Sequence, residues 1–340
     1  MILAGDLGGT KATLTLFDCG SGGLNALYRN TAPTRDFHSV QSLLDHFRAQ
    51  ANENGVSWEN KLQAAAFGVA GTIIESTAVS SNLPWAVNSK LIADRLKLDV
   101  QNVLMLNDLV AAASSLGHLQ AKDLLQLNQG EAEPYAPKAL IAAGTGLGEA
   151  ILFWDGTRYR VSPSEASLTD FAPRNDRELL VLQSLRHRMS RVCCEEVVSG
   201  RGFRAIHQIL FPGVHHPFFD EPGVDPAAKI TQQAFAGTCS ACEETLHIWM
   251  EAYGAEAGNM ALRVLPFGGV YVAGGIAIKV LPKLKDGSFV RAFSDKAKLS
   301  MKLATIPIYV VLNEDAPVLG AAHEALATMR CGNLLQSEHW

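Results

Sequence analysis

The chain has 340 residues with 29 Lys and Arg against 34 Asp and Glu, a formal net charge of −5, and is 48% hydrophobic and 19% charged, the profile of a globular protein long enough for two domains. It has no basic surface suited to nucleic acid, no apolar run of the ~18–20 residues that span a bilayer, and no basic segment leading into a short apolar core and cleavage site. Nucleic-acid and membrane partners are therefore excluded and a cytoplasmic location is expected; six dispersed cysteines fit reduced thiols better than a disulfide framework.

In chain order, Met1 to Asp18 (MILAGDLGGTKATLTLFD) reads as a β-hairpin with a functional turn: an apolar run, Asp6, Gly8-Gly9, Thr10-Lys11, then alternation from Ala12 to Phe17. Adjacent glycines let backbone approach a ligand, and the N–H groups of such a turn form an anion-binding hollow suited to phosphate. Asp6 stands where a carboxylate can hold the water shell of a nucleotide-bound Mg²⁺. An ordinary tight turn is the competing reading. Phe37 to Asn54 has apolar residues at helical spacing, and Leu62 to Ala70 is a short buried strand. Asn82 lies in the loop before Pro84 and reads as a turn residue.

Val103 to Leu106 is an apolar strand that stops at Asn107 and Asp108 before a helix of small residues. Polar groups at the carboxyl end of a buried strand are where α/β architectures place chemistry; the alternative is that Asp108 caps the helix. Ala139 to Trp154 repeats the first hairpin, with Gly144, Thr145, Gly146 and Gly148 in its turn, too far along the chain for a short-period solenoid and suited to two related domains. Neither turn carries the GxxxxGK[ST] of a P-loop, and a dinucleotide fingerprint would need GxGxxG opening a helix, whereas here a strand follows.

Ser162 to Pro173 reads as a hydroxyl- and carboxylate-rich loop, and Arg177 to Arg191 as a helix whose arginines form a solvated face. His215-His216 with Asp220 and Glu221 sits among Pro and Gly and is expected to be an exposed loop. Asp225-Pro226 gives an N-cap and N1 proline, and Ser240 with Glu243 a capping box for a long helix toward Val264. Cys239 and Cys242 form a CxxC at that helix start; they are expected to be buried structural thiols, since one CxxC supplies only two of the four ligands of a zinc site. Phe267 to Ile276 is a strand followed by Gly274-Gly275, Ile308 to Leu312 another strand, and Pro317 to Met329 a helix.

The paired turns, Leu106-Asn107-Asp108, Glu165 to Pro173, Glu195 to Gly202 and the turn of VYVAGGI together resemble the bacterial-type ATP-dependent glucokinases of the actin/hexokinase/heat-shock ATPase superfold, from Leu3 to about Leu326. The Cys-rich zinc motif of the ROK sugar kinases is missing. The resemblance implies an α/β, two-domain actin-like ATPase (ribonuclease H-like) fold with a cleft between domains: a discontinuous small domain, 1–117 and 317–340, and a large one, 118–316. It implies phosphorylation of glucose at the 6-hydroxyl by ATP with Mg²⁺, in a homodimer. Asp108 would be the catalytic base. Asn82, Asn107, Asp108, Glu165 and Glu195 would meet the sugar, the last as the first glutamate of Glu-x-Val-x-Ser-Gly-x-Gly. Asp6, Gly8, Gly9, Thr10, Lys11, Gly144, Thr145 and Gly146 would meet the phosphates, Gly274 and Gly275 the adenosine, and Asp6 the metal.

One departure matters. Where those glucokinases carry Glu-Gly-Gly-His before Asp-Phe-Ala-Pro, this chain keeps Glu165 and Asp170 to Pro173 but has Ala166, Ser167 and Leu168. Leucine offers no hydrogen bond, and a buried hydroxyl left unpaired costs roughly 1–3 kcal/mol. A kinase for another hexose or an amino sugar, or a non-catalytic sugar sensor derived from a kinase, are the alternatives; an actin-like or chaperone ATPase would leave Glu165 and Glu195 without a role.

Overall fold

The computed structural model describes residues 1–20, 23–58, 60–79 and 83–337. The chain divides into two compact units, residues 1–119 with 315–340, and residues 120–314.

In the first unit a five-stranded sheet has the order β3-β2-β1-β4-β8, formed by β1 (Ile2–Leu7), β2 (Lys11–Gly20), β3 (Gly23–Pro33), β4 (Ala64–Val69) and β8 (Val103–Asn107). Three short strands, β5 (Thr72–Ile74), β6 (Thr77–Val79) and β7 (Val87–Asn88), form a separate antiparallel sheet. In the main sheet β1, β2 and β3 are antiparallel neighbours, whereas β1, β4 and β8 run parallel. The parallel register aligns Asp6 with Gly68 and Val69 with Asn107, so both carboxyl-terminal strand ends open on one sheet edge.

Helices α1 (Val40–Glu53) and α2 (Ser89–Leu96) cover one face, where Leu3, Leu7, Leu14, Phe47, Trp58 and Phe67 are buried together. Helix α3 (Asp108–Ser114) and the C-terminal helix Ala316–Ser337 cover the other face. That face is built from small residues, Ala4, Ala64, Ala66 and Ala111 meeting Ala321, Ala322 and Ala325, which lets helix and sheet backbones approach closely.

The second unit repeats the plan. Its sheet has the order β12-β11-β10-β13-β14-β9, from β9 (Leu124–Gln126), β10 (Lys138–Ala143), β11 (Leu147–Trp154), β12 (Tyr159–Ser164), β13 (Val270–Ala273) and β14 (Ile308–Val311). Antiparallel β12-β11-β10 followed by parallel β10-β13-β14 matches β3-β2-β1-β4-β8 strand for strand, with the two glycine turns at the same place. The helices are α4 (Asp176–Arg186), α5 (Cys194–Val197), α6 (Gly200–Leu210), α7 (Pro226–Phe235), α8 (Ser240–Val264), α9 (Gly275–Lys279), α10 (Leu281–Leu284), α11 (Ser288–Ser294) and α12 (Ser300–Leu303).

Helix α8 is the spine of this core, buried over most of its length. Trp249 Nε1 donates to Ser199 O at 3.1 Å, and Tyr253 Oη donates to Ile141 O at 3.2 Å, tying the spine to α6 and to β10. Asp225 caps α7 with Pro226 in its first turn, as the sequence suggests. The start of α8 differs from expectation: its cap is Cys239, whose sulfur accepts the Cys242 N–H, and Ser240 is the first helical residue.

Candidate active site

The first cluster grows from strand ends of the first unit. The turn after β1 is fastened by Gly8 N–H donating to Lys11 O at 3.1 Å and by the buried Thr34, whose hydroxyl donates to Gly8 O at 2.6 Å. Gly9, Thr10 and Lys11 remain exposed. At the end of β8, Asn107 and not Asp108 caps α3: its Oδ1 accepts from Leu109 and Val110 N–H at 2.9 and 3.2 Å. Its Nδ2 donates to Gly71 O at 3.0 Å. The amide is thereby clamped, with one N–H left for another acceptor.

Asp108 is the first helical residue and accepts the Leu109 N–H at 2.9 Å. Burial pushes its carboxyl above the usual range, against that hydrogen bond. Asp6 is pushed up to about 6, first by burial and then by the charge of Asp108, with Lys11 opposing and Asp315 adding to the rise. Asp315 just precedes the C-terminal helix and accepts Arg29 Nε and Nη2 at 3.0 and 2.6 Å. Sequence reasoning missed it because an Asp ahead of Ala-Pro looks like a helix start; its only signal was a carboxylate at the mouth of a helix made of small residues.

With Arg29 paired to Asp315, the carboxylates of Asp6 and Asp108 face Lys11 alone, which still leaves surplus negative charge at this edge, an environment that suits a hydrated Mg²⁺. The bare protein relieves the repulsion by raising the Asp6 pKa, and a divalent cation would relieve it by restoring the charged form.

The second cluster lies on the corresponding edge of the second unit. Gly144 N–H donates to Gly146 O at 2.8 Å, and Gly200 N–H to Gly144 O at 2.9 Å, so the start of α6 braces the turn, with Thr145 exposed at its tip. Because β10 and β13 are parallel, with Ala142 paired to Ala273, Gly274-Gly275 emerges beside this turn. Gly274 has φ of 89°, and a Cβ there would stand 2.6 Å from Ala143 O. Both glycines are exposed.

Glu195 packs against the same turn. Its Oε2 accepts the Leu147 N–H at 3.0 Å, its Oε1 is paired with Arg201 at 2.5 Å, and a Cβ on Gly146 would sit 2.5 Å from Oε2. Glu165 is exposed at the end of β12, ahead of a 3-10 turn Ala166–Leu168. Cys194 N–H donates to Thr169 O at 2.9 Å, joining this loop to the segment bearing Glu195. Leu168 points into solvent at 51% exposure, whereas Ser167 is buried and Thr169 Oγ1 is spent on Ala166 O at 2.7 Å. Asn82 lies outside the described residues.

A model of the glucokinase family matches residues 3–328. Glucokinase of Nostoc sp. strain PCC 7120 is 37% identical over 341 residues, covering 95% of this chain and 98% of that protein. Among solved structures, a glucokinase from an Antarctic psychrotroph superposes with a TM-score of 0.79 at 26% identity, covering 95% of this chain and 98% of the other. A ROK family glucokinase from Streptomyces griseus, in complex with glucose and AMPPNP, superposes with a TM-score of 0.64 at 19% identity over 96% of this chain and 99% of the other, a likeness of fold alone. The fold is that of the actin-like ATPases. With residues 3–328 matched and the two glycine turns in place, the chain belongs to the glucokinase family.

Proposed function

We propose that the chain transfers the γ-phosphoryl group of ATP to the 6-hydroxyl of glucose, giving glucose 6-phosphate and ADP. The observation that carries this reading is the meeting of Asp6 and Asp108 at one strand edge, each carboxyl raised by burial. Phosphoryl transfer needs little covalent help from protein, so positioning and charge do most of the work.

Asp108 accepts the proton of the attacking hydroxyl, and its raised pKa makes it a better base than a solvated aspartate. Asn107, clamped by its cap and by Gly71, orients the sugar with its remaining N–H. Glu165 and Glu195 bind further hydroxyls, for which Glu195 exchanges its contact with Arg201. Gly8 to Lys11 and Gly144 to Gly146 receive the phosphates, and Gly274-Gly275 the adenosine. Asp6 is the proposed anchor for Mg²⁺, which when bound neutralises charge on the β- and γ-phosphates. The family resemblance extends the proposal to a cytoplasmic homodimer, whose mass sedimentation of the purified protein reads directly.

Asp108→Asn tests the central role. General-base assistance contributes about 10²–10⁴-fold, so turnover with glucose is expected to fall by that order, with glucose affinity in calorimetry unchanged within a few-fold. Phosphorylation surviving at near wild-type rate would remove Asp108 from the chemistry. Leu168 favours a second reading, a preference for another hexose or an amino sugar, because its exposed side chain cannot pair with a hydroxyl. A panel of sugars in a coupled ADP assay separates the two.

A further inference from the structure

Four potential ligands that lie apart in the sequence meet in the second unit. His207 lies in the last turn of α6, His216 in the loop that follows, Cys239 is the cap of α8, and Cys242 lies in its first turn. One ligand atom from each lies within 4.8 Å of the other three. His216 Nε2 is 3.5 Å from both Cys239 Sγ and Cys242 Sγ. Tetrahedral zinc, with bonds of about 2.3 Å to sulfur and 2.0–2.1 Å to nitrogen, places adjacent N and S ligands about 3.6 Å apart.

His207 is the independent pointer. Its side chain is fully buried, its ring meets that of His216 edge-on with centroids 5.1 Å apart, and neither ring nitrogen has a hydrogen-bond partner among the described residues. Its other ring neighbours, Phe211 and Phe219, offer no acceptor. A buried imidazole nitrogen without a protein partner, set beside two thiols, points to a ligand that is not protein.

We propose that His207, His216, Cys239 and Cys242 bind one Zn²⁺ as a closed structural site. Two thiolates with two imidazoles are a zinc set, whereas Mg²⁺ and Ca²⁺ require oxygen ligands. The Cys242 N–H donates to Cys239 Sγ at 3.4 Å, which fixes that sulfur at the start of the 25-residue α8. The ion joins the end of α6, the 211–225 loop and the head of α8. Since the start of α6 braces Gly144, the same ion steadies from behind the turn assigned to phosphate. The exposed-loop reading holds for His215, which pairs with Asp220 at 3.1 Å on the surface, but His216 turns inward. The CxxC does not stand alone.

The full-length chain, produced with zinc in the medium and dialysed against metal-free reducing buffer, is expected to retain one Zn²⁺ per molecule by mass spectrometry of the metal. Cys239→Ser with Cys242→Ser should reduce it to background. Replacement of the metal by Co²⁺ in the unmutated chain should give thiolate-to-cobalt charge transfer with intense tetrahedral d–d bands, a readout that stands even where the double variant fails to fold. A chain without bound zinc or a cobalt–thiolate band, a weak octahedral cobalt spectrum, or full zinc retention in a folded double variant would each overturn the assignment.

Discussion

Leu168 is where this chain departs most from the pattern it otherwise follows, and the structure gives that departure a physical form. The side chain is half exposed on a short 3-10 turn; of the hydroxyls on either side, that of Ser167 is buried and that of Thr169 donates to Ala166 O. Leu168→His places a donor and acceptor at that point with no core to repack. Binding of glucose is expected to tighten about tenfold to a hundredfold, the worth of one buried polar group regaining a partner, seen as a lower KM at nearly constant kcat. An unchanged KM would mean that position 168 does not meet the sugar. Asp6 and Asp108 were legible in the sequence because each interrupts an apolar run where a strand must end. The approach of Asp315 to Asp6 was not, since a contact between chain ends leaves no local pattern. His207 stayed hidden for the same reason, inside an ordinary amphipathic helix.

Among elements, the pairing of α3 with the C-terminal helix has the least tolerance. An ideal Cβ on Gly320 would lie 1.8 Å from Ala111 O and 2.8 Å from Ser115 N, backbone atoms that cannot swing aside. Because α3 begins at Asp108, moving it displaces the carboxylate proposed as the base. Gly320→Ala is expected to destabilise the protein by about 1–3 kcal/mol in denaturant titration, the usual result of overpacking. It should also lower turnover more than sugar affinity. Loss of stability with unchanged turnover would show that the helix shifts without carrying Asp108. Helix existence was readable from period over Val40–Glu53 and from the cap and first-turn proline at Asp225-Pro226. The cap of α8 was misread, since Ser240 and Glu243 satisfy a capping-box pattern that Cys239 in fact replaces. A sulfur acceptor is rare enough at a helix start that propensity alone points to the serine.

At the scale of the molecule, the same strand order occurs twice, and the second copy carries a charge problem in its interior. Glu149 follows the glycine turn on β11, is 1% exposed, and neither of its carboxylate oxygens has a hydrogen-bond partner among the described residues. Burial, and then the nearby Glu256, push its carboxyl up to about 8, with Arg263 opposing. Glu256 takes the available donors, from Cys194 Sγ at 3.2 Å, Asn259 at 2.9 Å and Arg263 at 3.0 Å. In the unfolded chain Glu149 ionises near 4.5. Below that pH both states hold the proton and no penalty arises. Between 4.5 and about 8 the unfolded chain releases a proton that the fold retains, so stability falls as pH rises, by at most about 1.4 kcal/mol per pH unit. Asp6 contributes in the same direction but over a lower window, ending near its own value of about 6. Glu149→Gln removes the ionisation while keeping the shape. In urea titrations from pH 6 to 8 the unmutated protein should lose stability faster than the glutamine variant, the gap widening by about 1–3 kcal/mol across the window. Parallel curves would mean that Glu149 does not hold the buried proton.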